Sequence, residues 1–279
     1  MKHVEDIRAL TEILLSSDNF HSLVIEGAPG WGKSTTVERV LNEKGKTFKA
    51  LGSYTTPLAL FKFLSKNPRE LLVIDDCAGI FGDTIAMAIL KAATWPSSGS
   101  DGTRLVSWAT TSERVKLDSF LFDGKIILLT NSTPMSGDGA AFASRSLHYC
   151  ITPTVSEMET IVLQVTASSR FIDQTKAQAV AQCLIERGRQ TDFRGVNLRT
   201  LQMGYELATS ARPNWRELFL KVLPTPDTTR IAYLLSSKSG SVEEQFREFH
   251  RQTGLSRRTF FYHRARVARS YPSGQIVFT

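Results

Sequence analysis

The stretch EGAPGWGKSTT, Glu26 to Thr36, carries three glycines, one proline, one lysine and three consecutive hydroxyl side chains. Its spacing, Gly27-x-x-x-x-Gly32-Lys33-Ser34, is that of a loop built to hold a phosphate chain. In a tight glycine turn the backbone N–H groups converge on an anion, and side chains would block that approach. A helix starting where the loop ends adds the positive end of its dipole. The predicted cradle is Gly27, Ala28, Pro29, Gly30, Trp31, Gly32, Lys33, Ser34 and Thr35. Lys33 would reach the terminal phosphates, and the Ser34 hydroxyl would ligate Mg²⁺. Such a site also needs a carboxylate at the end of a neighbouring strand. The run LLVIDD, Leu71 to Asp76, supplies Asp75 for the Mg²⁺ shell and Asp76 to orient an attacking water. The chemistry this pattern allows is binding and cleavage of the triphosphate of ATP or GTP. The plainer reading is a glycine turn ahead of a surface helix.

Those residues must be positioned by strands and helices, and the apolar pattern predicts which. Val4, Ile7, Leu10, Ile13 and Leu14 recur at helical spacing. Ser22 to Ile25 reads as a short strand leading into the loop, and Gly32 to Asn42 as the helix leaving it. Further strands are predicted at 47–51, 71–74, 104–108, 125–130 and 147–151, with helices near 57–65 and 82–93 between them. Strands alternating with helices imply an α/β fold: a parallel sheet flanked by helices on both faces. After Pro153 only helical patterns occur, broken near Ser168-Ser169, between Arg187 and Gly195, and at Arg212-Pro213. The segment LPTPDTT, 223–229, separates a last helical stretch. Three domains are therefore expected: 1–153 α/β, 154–223 all-helical, and 224–279 small and basic.

Composition narrows the partners. The chain has 279 residues, 42% of them hydrophobic, and a net charge of +7. The positive balance is compatible with a polyanionic partner. No apolar run approaches the roughly 20 residues of a membrane span, and the N-terminus lacks a basic segment leading into an apolar core. Cys77, Cys150 and Cys183 are far apart and odd in number, which argues against a disulfide framework or a zinc site. A cytoplasmic protein with reduced thiols is expected.

Three further features resemble the AAA+ branch of the P-loop NTPases. IILLTNST places Asn131 at a strand tip, where the family's first sensor residue stands between the carboxylates and the γ-phosphate. AFASRSLHYCI places Arg145 ahead of the last core strand, similar to the arginine finger of clamp-loader relatives. NLRTL places Arg199 on a helix of the lid, where a second sensor arginine would touch nucleotide. The order covers residues 1 to about 223 and implies an ATPase with catalytic roles for Asp76, Asn131, Arg145 and Arg199. Its cofactors would be ATP and Mg²⁺. Each residue also has an ordinary reading: Asn131 as a turn cap, Arg145 as a surface residue, Arg199 as an ion-paired helix residue with Arg194 as its rival. His148 and Tyr149 read as strand packing. Asp-Asp departs from the family's Asp-Glu, and the shorter Asp76 side chain puts the hydrolysis rate in doubt. If Arg145 acts on a neighbouring subunit, the active form is a homo-oligomer, a ring or a helical assembly. RLVSW followed by LDSFLFDGKIILLTN reads as an inserted hairpin or as a loop facing a central channel, where Arg104, Arg114 and Lys116 would meet a threaded substrate; a solvated hairpin is the plainer reading.

The C-terminal stretch VEEQFREFHRQTGLSRRTFFYHRARVARSYP reads as helix–turn–helix. Val242, Phe246 and Phe249 share a face, Thr253-Gly254 makes the turn, and Ser256 caps a second helix from Arg257 to Ser270. Phe260, Phe261, Tyr262 and Val267 are expected to pack that helix down. Between 251 and 271 there are six arginines and no acid. The first residues of such a helix enter the major groove. Arg257, Arg258 and Thr259 stand there, with His263, Arg264 and Arg266 further along for phosphates or base edges. TGLSRRTFFYHRARV resembles the recognition half of bacterial helix–turn–helix regulators and recombinases, and RuvB-like relatives carry a DNA-binding winged helix at this position. A basic hairpin for protein contact, or one simply solvated, is the alternative. Double-stranded DNA is thus the expected partner, with no membrane. The functional expectation is an oligomeric DNA-acting ATPase, or an ATP-gated DNA-binding adaptor with little turnover, or, less in keeping with the arginines, a protein remodeller. No guanine-reading NKxD string occurs, which disfavours a small GTPase, and a RecA-type helicase would not need the separate helical module.

Overall fold

Apolar runs of strand length in the first half of the chain have no polar alternation, and they become the central strands of a sheet covered on both faces. The computed structural model describes residues 1–52, 54–76, 79–95, 103–108, 117–133, 137–191, 193–210, 212–225, 228–236 and 240–270, without the side chains of Arg230 and 266–270. The chain divides into two compact units, Met1–Thr152 and Pro153–Thr279.

The first unit runs α1 (Lys2–Ser16), β1 (Ser22–Gly27), α2 (Lys33–Glu43), β2 (Lys49–Gly52), α3 (Pro57–Lys66), β3 (Leu71–Asp75), a 3-10 turn (Ile80–Gly82), α4 (Thr84–Thr94), β4 (Arg104–Ser107), β5 (Ser119–Phe122), β6 (Lys125–Thr130), α5 (Gly137–Ala143) and β7 (Leu147–Ile151). Five strands form one parallel sheet in the order β2-β3-β6-β1-β7. Val24, Leu72, Ile74, Ile126 and Leu128 point to the face covered by α3 and α4, where Leu60, Phe61, Leu64, Met87 and Leu90 complete one core. Leu23, Ile25, Val73, Ile127 and Leu129, also buried, alternate to the opposite face. On that side α1 lies against β1, β7 and α2.

The strand expected at 104–108 is not in this sheet. β4 pairs antiparallel with β5, Arg104 opposite Phe122 and Leu105 opposite Leu121, as a separate two-stranded hairpin. Arg104 is fully buried, so the idea that it meets a threaded substrate is corrected. Its Nη2 donates to the Gly124 carbonyl, and its guanidinium lies 5.3 Å over the Phe122 ring. Burial pulls its pKa down to about 10, because the charged form has lost solvent and the Asp123 carboxylate offsets only part of that loss. Arg114 and Lys116, its suggested companions, lie outside the described residues.

The second unit is helical: α6 (Val155–Ser168), α7 (Gln174–Thr191), α8 (Leu198–Thr209), α9 (Trp215–Val222), α10 (Thr228–Ser236), α11 (Val242–Thr253) and α12 (Arg257–Ser270). Thr154 with Glu157, and Ser241 with Glu244, form reciprocal capping boxes that fix where α6 and α11 start. One core gathers Val162, Val180, Leu184, Phe193, Leu201 and Phe219. At Gly204 a Cβ would fall 2.4 Å from Val180, so α8 approaches α7 closely only because that residue is glycine. A second core, Ile231, Ala232, Leu235, Phe249 and Phe260, joins α10, α11 and α12. α11 ends on Gly254 with φ 70°, and Ser256 accepts from the Thr259 amide to start α12.

At the amino ends of the strands, His21 stands among Arg104, Lys125, Asp123 and Asp18. Burial first, then the two cations, lowers its pKa from 6.5 to about 4. Between those values the folded protein keeps His21 neutral while an unfolded chain protonates it. The folded state therefore binds fewer protons, and stability rises with pH through that window and falls as pH drops toward 4. Thermal melts of wild type and His21→Gln from pH 4 to 7 should show a shallower pH dependence in the variant.

Candidate nucleotide site and basic helix

The carboxyl end of β1 carries the glycine loop. At Gly27 a Cβ would sit 2.8 Å from the Ile151 Cβ of β7, so the close approach of the two strands excludes a side chain there. Gly30 and Gly32 take φ of 83° and 80°, the left-handed region that other residues resist. Trp31 is 3% exposed and anchors the loop from below, while Ala28, Pro29 and Thr35 face out. The loop opens directly into α2, whose first residues are Lys33 and Ser34.

The sheet order brings three distant segments to this loop. β6 lies between β3 and β1, with Thr130 level with Glu26 and Leu129 level with Asp75. Asn131, one residue past β6, is thereby placed between the loop and the end of β3. Lys33, nearly buried, donates to the carbonyls of Gly27 and Ala28 and, at 3.2 Å, to Asn131 Oδ1. Asn131 Nδ2 in turn donates to Asp76 Oδ1 at 3.1 Å. Ser34 Oγ donates to Asp75 Oδ2 at 2.6 Å. Two oxygens sharing one Mg²⁺ at about 2.1 Å each, at right angles, stand about 3 Å apart, so this pair fits the hard oxygen donors that ion prefers. Asp76 holds φ at 50°. A non-glycine residue in that region is uncommon, and its amide is bonded to the Leu129 carbonyl.

Arg145 lies in the turn between α5 and β7. Ser146, its neighbour, meets Ser22 at 2.7 Å through their hydroxyls, which ties the turn to the first residue of β1. From there to Gly27 is a strand of roughly 17 Å. Arg145 thus stands at the opposite end of the strands from its own chain's loop, and among the described residues its side chain has no hydrogen bond or ion pair. Arg199 is exposed in the first turn of α8, just after the cap Asn197.

Sheet pairing also makes contacts that linear spacing does not announce. His148 Nε2 meets Glu26 Oε2 at 3.2 Å beside the loop, and the Tyr149 hydroxyl donates to Asp6 at 2.9 Å. Both residues, read from sequence as packing, hold carboxylates. No signal in the sequence could link Glu26 to His148, because only strand neighbourhood brings them together.

In the second unit, the basic residues of α12 divide into two sets. Arg257 bonds Glu243 at 2.6 Å and covers the rings of Phe246 and Phe261. His263 Nδ1 meets Thr229 Oγ1 at 2.9 Å, and Arg264 donates to Gln245 at 3.2 Å. These three hold α12 onto α10 and α11. Arg258 is exposed, and Thr259 is tied to Ser256. The side chains of Arg266 and Val267 lie outside the described residues. Of the aromatics expected to pack the helix down, only Phe260 is buried; Phe261 and Tyr262 are 41% and 63% exposed.

No family model matches the chain. A curated relative, an uncharacterized 36.7 kDa protein from the nrdC-mobD intergenic region of Enterobacteria phage T4, is 25% identical over 226 residues, 72% of this chain and 67% of its own length. Among solved structures, the Holliday junction branch migration motor RuvB of Thermotoga maritima matches with a TM-score of 0.50 at 14% identity, covering 92% of this chain and 82% of that one. Domain III of the replication initiation protein DnaA from the same organism matches at 0.46 and 15% identity, covering 80% and 92%. At such identities the likeness is one of fold. With its five-stranded parallel sheet flanked by helices, its loop at the carboxyl end of β1 and its mostly helical C-terminal part, the chain has the P-loop NTPase fold.

Proposed function

We propose that the chain binds and hydrolyses ATP as an AAA+-type homo-oligomer and acts on double-stranded DNA, or on protein bound to it, through α11, its turn and α12. The observation that carries this reading is the single network Lys33–Asn131–Asp76 beside the Ser34–Asp75 pair. In it Lys33 holds carbonyl oxygens at the place phosphate oxygens would take. Ser34 and Asp75 would hold Mg²⁺, which supplies charge neutralisation to the phosphate oxygens. Asp76 orients the attacking water and draws on its proton, and Asn131 keeps that carboxylate aimed at the terminal phosphate. Arg145, a strand's length from its own loop, serves the site of the next subunit, where it stabilises charge developing on the transferred group.

A second reading is a nucleotide-gated DNA-binding adaptor with slow turnover. It is favoured by Asp76, whose side chain is one methylene shorter than glutamate and is already bonded to Asn131. Steady-state ATP hydrolysis across a protein titration, with and without duplex DNA, separates the two. Turnover rising with both supports the motor, and bound ATP with negligible turnover supports the adaptor.

Lys33→Ala should weaken ATP binding by roughly ten- to a hundredfold, the loss expected for charged hydrogen bonds to phosphate, when measured by calorimetric titration. Arg145→Ala should leave ATP affinity within about twofold and lower assembled turnover by about a thousandfold. Mixing Arg145→Ala with Lys33→Ala should restore part of the activity, because one supplies an intact site and the other an intact arginine. A mixture as inactive as its components would refute action across the subunit boundary. Arg258→Ala should weaken duplex binding and reduce the slope of log K against log salt by about one.

A further inference from the structure

We propose that Phe261 and Tyr262 are base-contacting residues, pressing on thymine methyl groups in the major groove, so that duplex recognition is apolar as well as ionic. The proposal rests on the DNA-docking reading above. α12 has two distinct faces. Phe260, His263 and Arg264 face inward, against Phe249, Thr229 and Gln245. Arg258, Phe261, Tyr262 and Ala265 recur at helical spacing on the outer side, and all four are exposed. An outer helix face with two aromatic rings and an alanine is not what solubility alone would select.

The rings are also held in place before any partner arrives. Phe261 meets Phe260 edge-on at 5.4 Å and lies under the Arg257 guanidinium at 5.7 Å. Arg257 is itself fixed by Glu243. Tyr262 stands edge-on to His263 at 5.2 Å, and His263 is tied to Thr229. Little side-chain entropy is left to lose on contact.

Charge selects the occupant. From Arg257 to Ser270 the helix has no acid, and while Arg257, His263 and Arg264 are engaged within the domain, the exposed Arg258 stands beside the two rings and gives this face the charge that suits a polyanion. The major groove presents phosphates at its rims, guanine acceptors for Arg258, and the C5-methyl of thymine as its apolar feature, which phenyl and methyl side chains contact. Two rings braced edge-on to their own helix do not form the broad apolar face that embeds a helix in a lipid surface.

The test uses the full chain and the tightest-binding duplex recovered from a random pool, prepared once with thymine and once with uracil, which lacks the methyl. Wild type should bind the uracil duplex more weakly, by about fourfold for each methyl contacted. Phe261→Ala and Tyr262→Ala should each weaken binding to the thymine duplex and lower the thymine-to-uracil ratio, and the double variant should bring it close to one. Tyr262→Phe, which keeps the ring, should preserve the ratio. Both rings are exposed, so unchanged melting curves will exclude unfolding. A wild-type ratio of one, or alanine variants that lower both affinities equally, would overturn the inference while leaving DNA docking intact. Alanine variants that alter self-association but not DNA binding would also overturn it, assigning the rings to a protein contact. Failure of wild type to bind any duplex would instead refute the DNA-docking reading itself, and the inference with it.

Discussion

One amide holds the candidate site together. Asn131 accepts from the lysine of the glycine loop and donates to the carboxylate beyond β3, and it can do both only because β6 runs between β1 and β3. If β6 stood at the sheet edge, Lys33 and Asp76 would be neighbours with nothing to set their separation. The register, Thr130 beside Glu26 and Leu129 beside Asp75, fixes how far past the sheet each side chain reaches. The apolar core under these strands therefore does more than stabilise the fold. It sets the spacing of three polar groups from widely separated parts of the chain.

The two ends of the sheet are specialised in opposite ways. At the carboxyl ends, backbone N–H groups, a helix N-terminus and a single lysine leave room for an anion, where open parallel sheets bind their ligands. At the amino ends, cations are consumed internally. Lys125 donates to the Leu14 carbonyl at the close of α1, at 2.6 Å, and Arg104, the first residue of the hairpin, is fully buried. Burial, and after it their charges, keeps His21 neutral well below its usual range. Arg145 stands at this same end, and among the described residues its side chain has no such engagement.

The C-terminal helices show the limit of counting charges. Six arginines without an acid mark the stretch from 251 to 271 as a polyanion-binding candidate, yet two of those that sequence reasoning chose for DNA spend their hydrogen bonds on their own domain. Burial of Phe260 sets the rotation of α12, and that rotation decides which residues face out. Arg258, Phe261 and Tyr262 do, and the aromatic pair looked from sequence like packing.

The sequence by itself determined the phosphate loop, since Gly27, Gly32, Lys33 and Ser34 are a local pattern on a local turn. It determined the alternation of strands and helices, the helical second half, and the bounds of α12, because Ser256, Gly254 and the apolar spacing are all signals within a few residues. What only the tertiary structure decided is every relation that crosses strands. The sequence already offered RLVSW and LDSFLFDGK as an inserted hairpin, and the structure decided that this pair, rather than a further strand of the parallel sheet, is what 104–107 forms. That Arg104 is buried, that Glu26 meets His148, and that Asn131 stands between Lys33 and Asp76 all follow from strand order. Strand order is set by how whole apolar faces pack, a property no short stretch of residues carries.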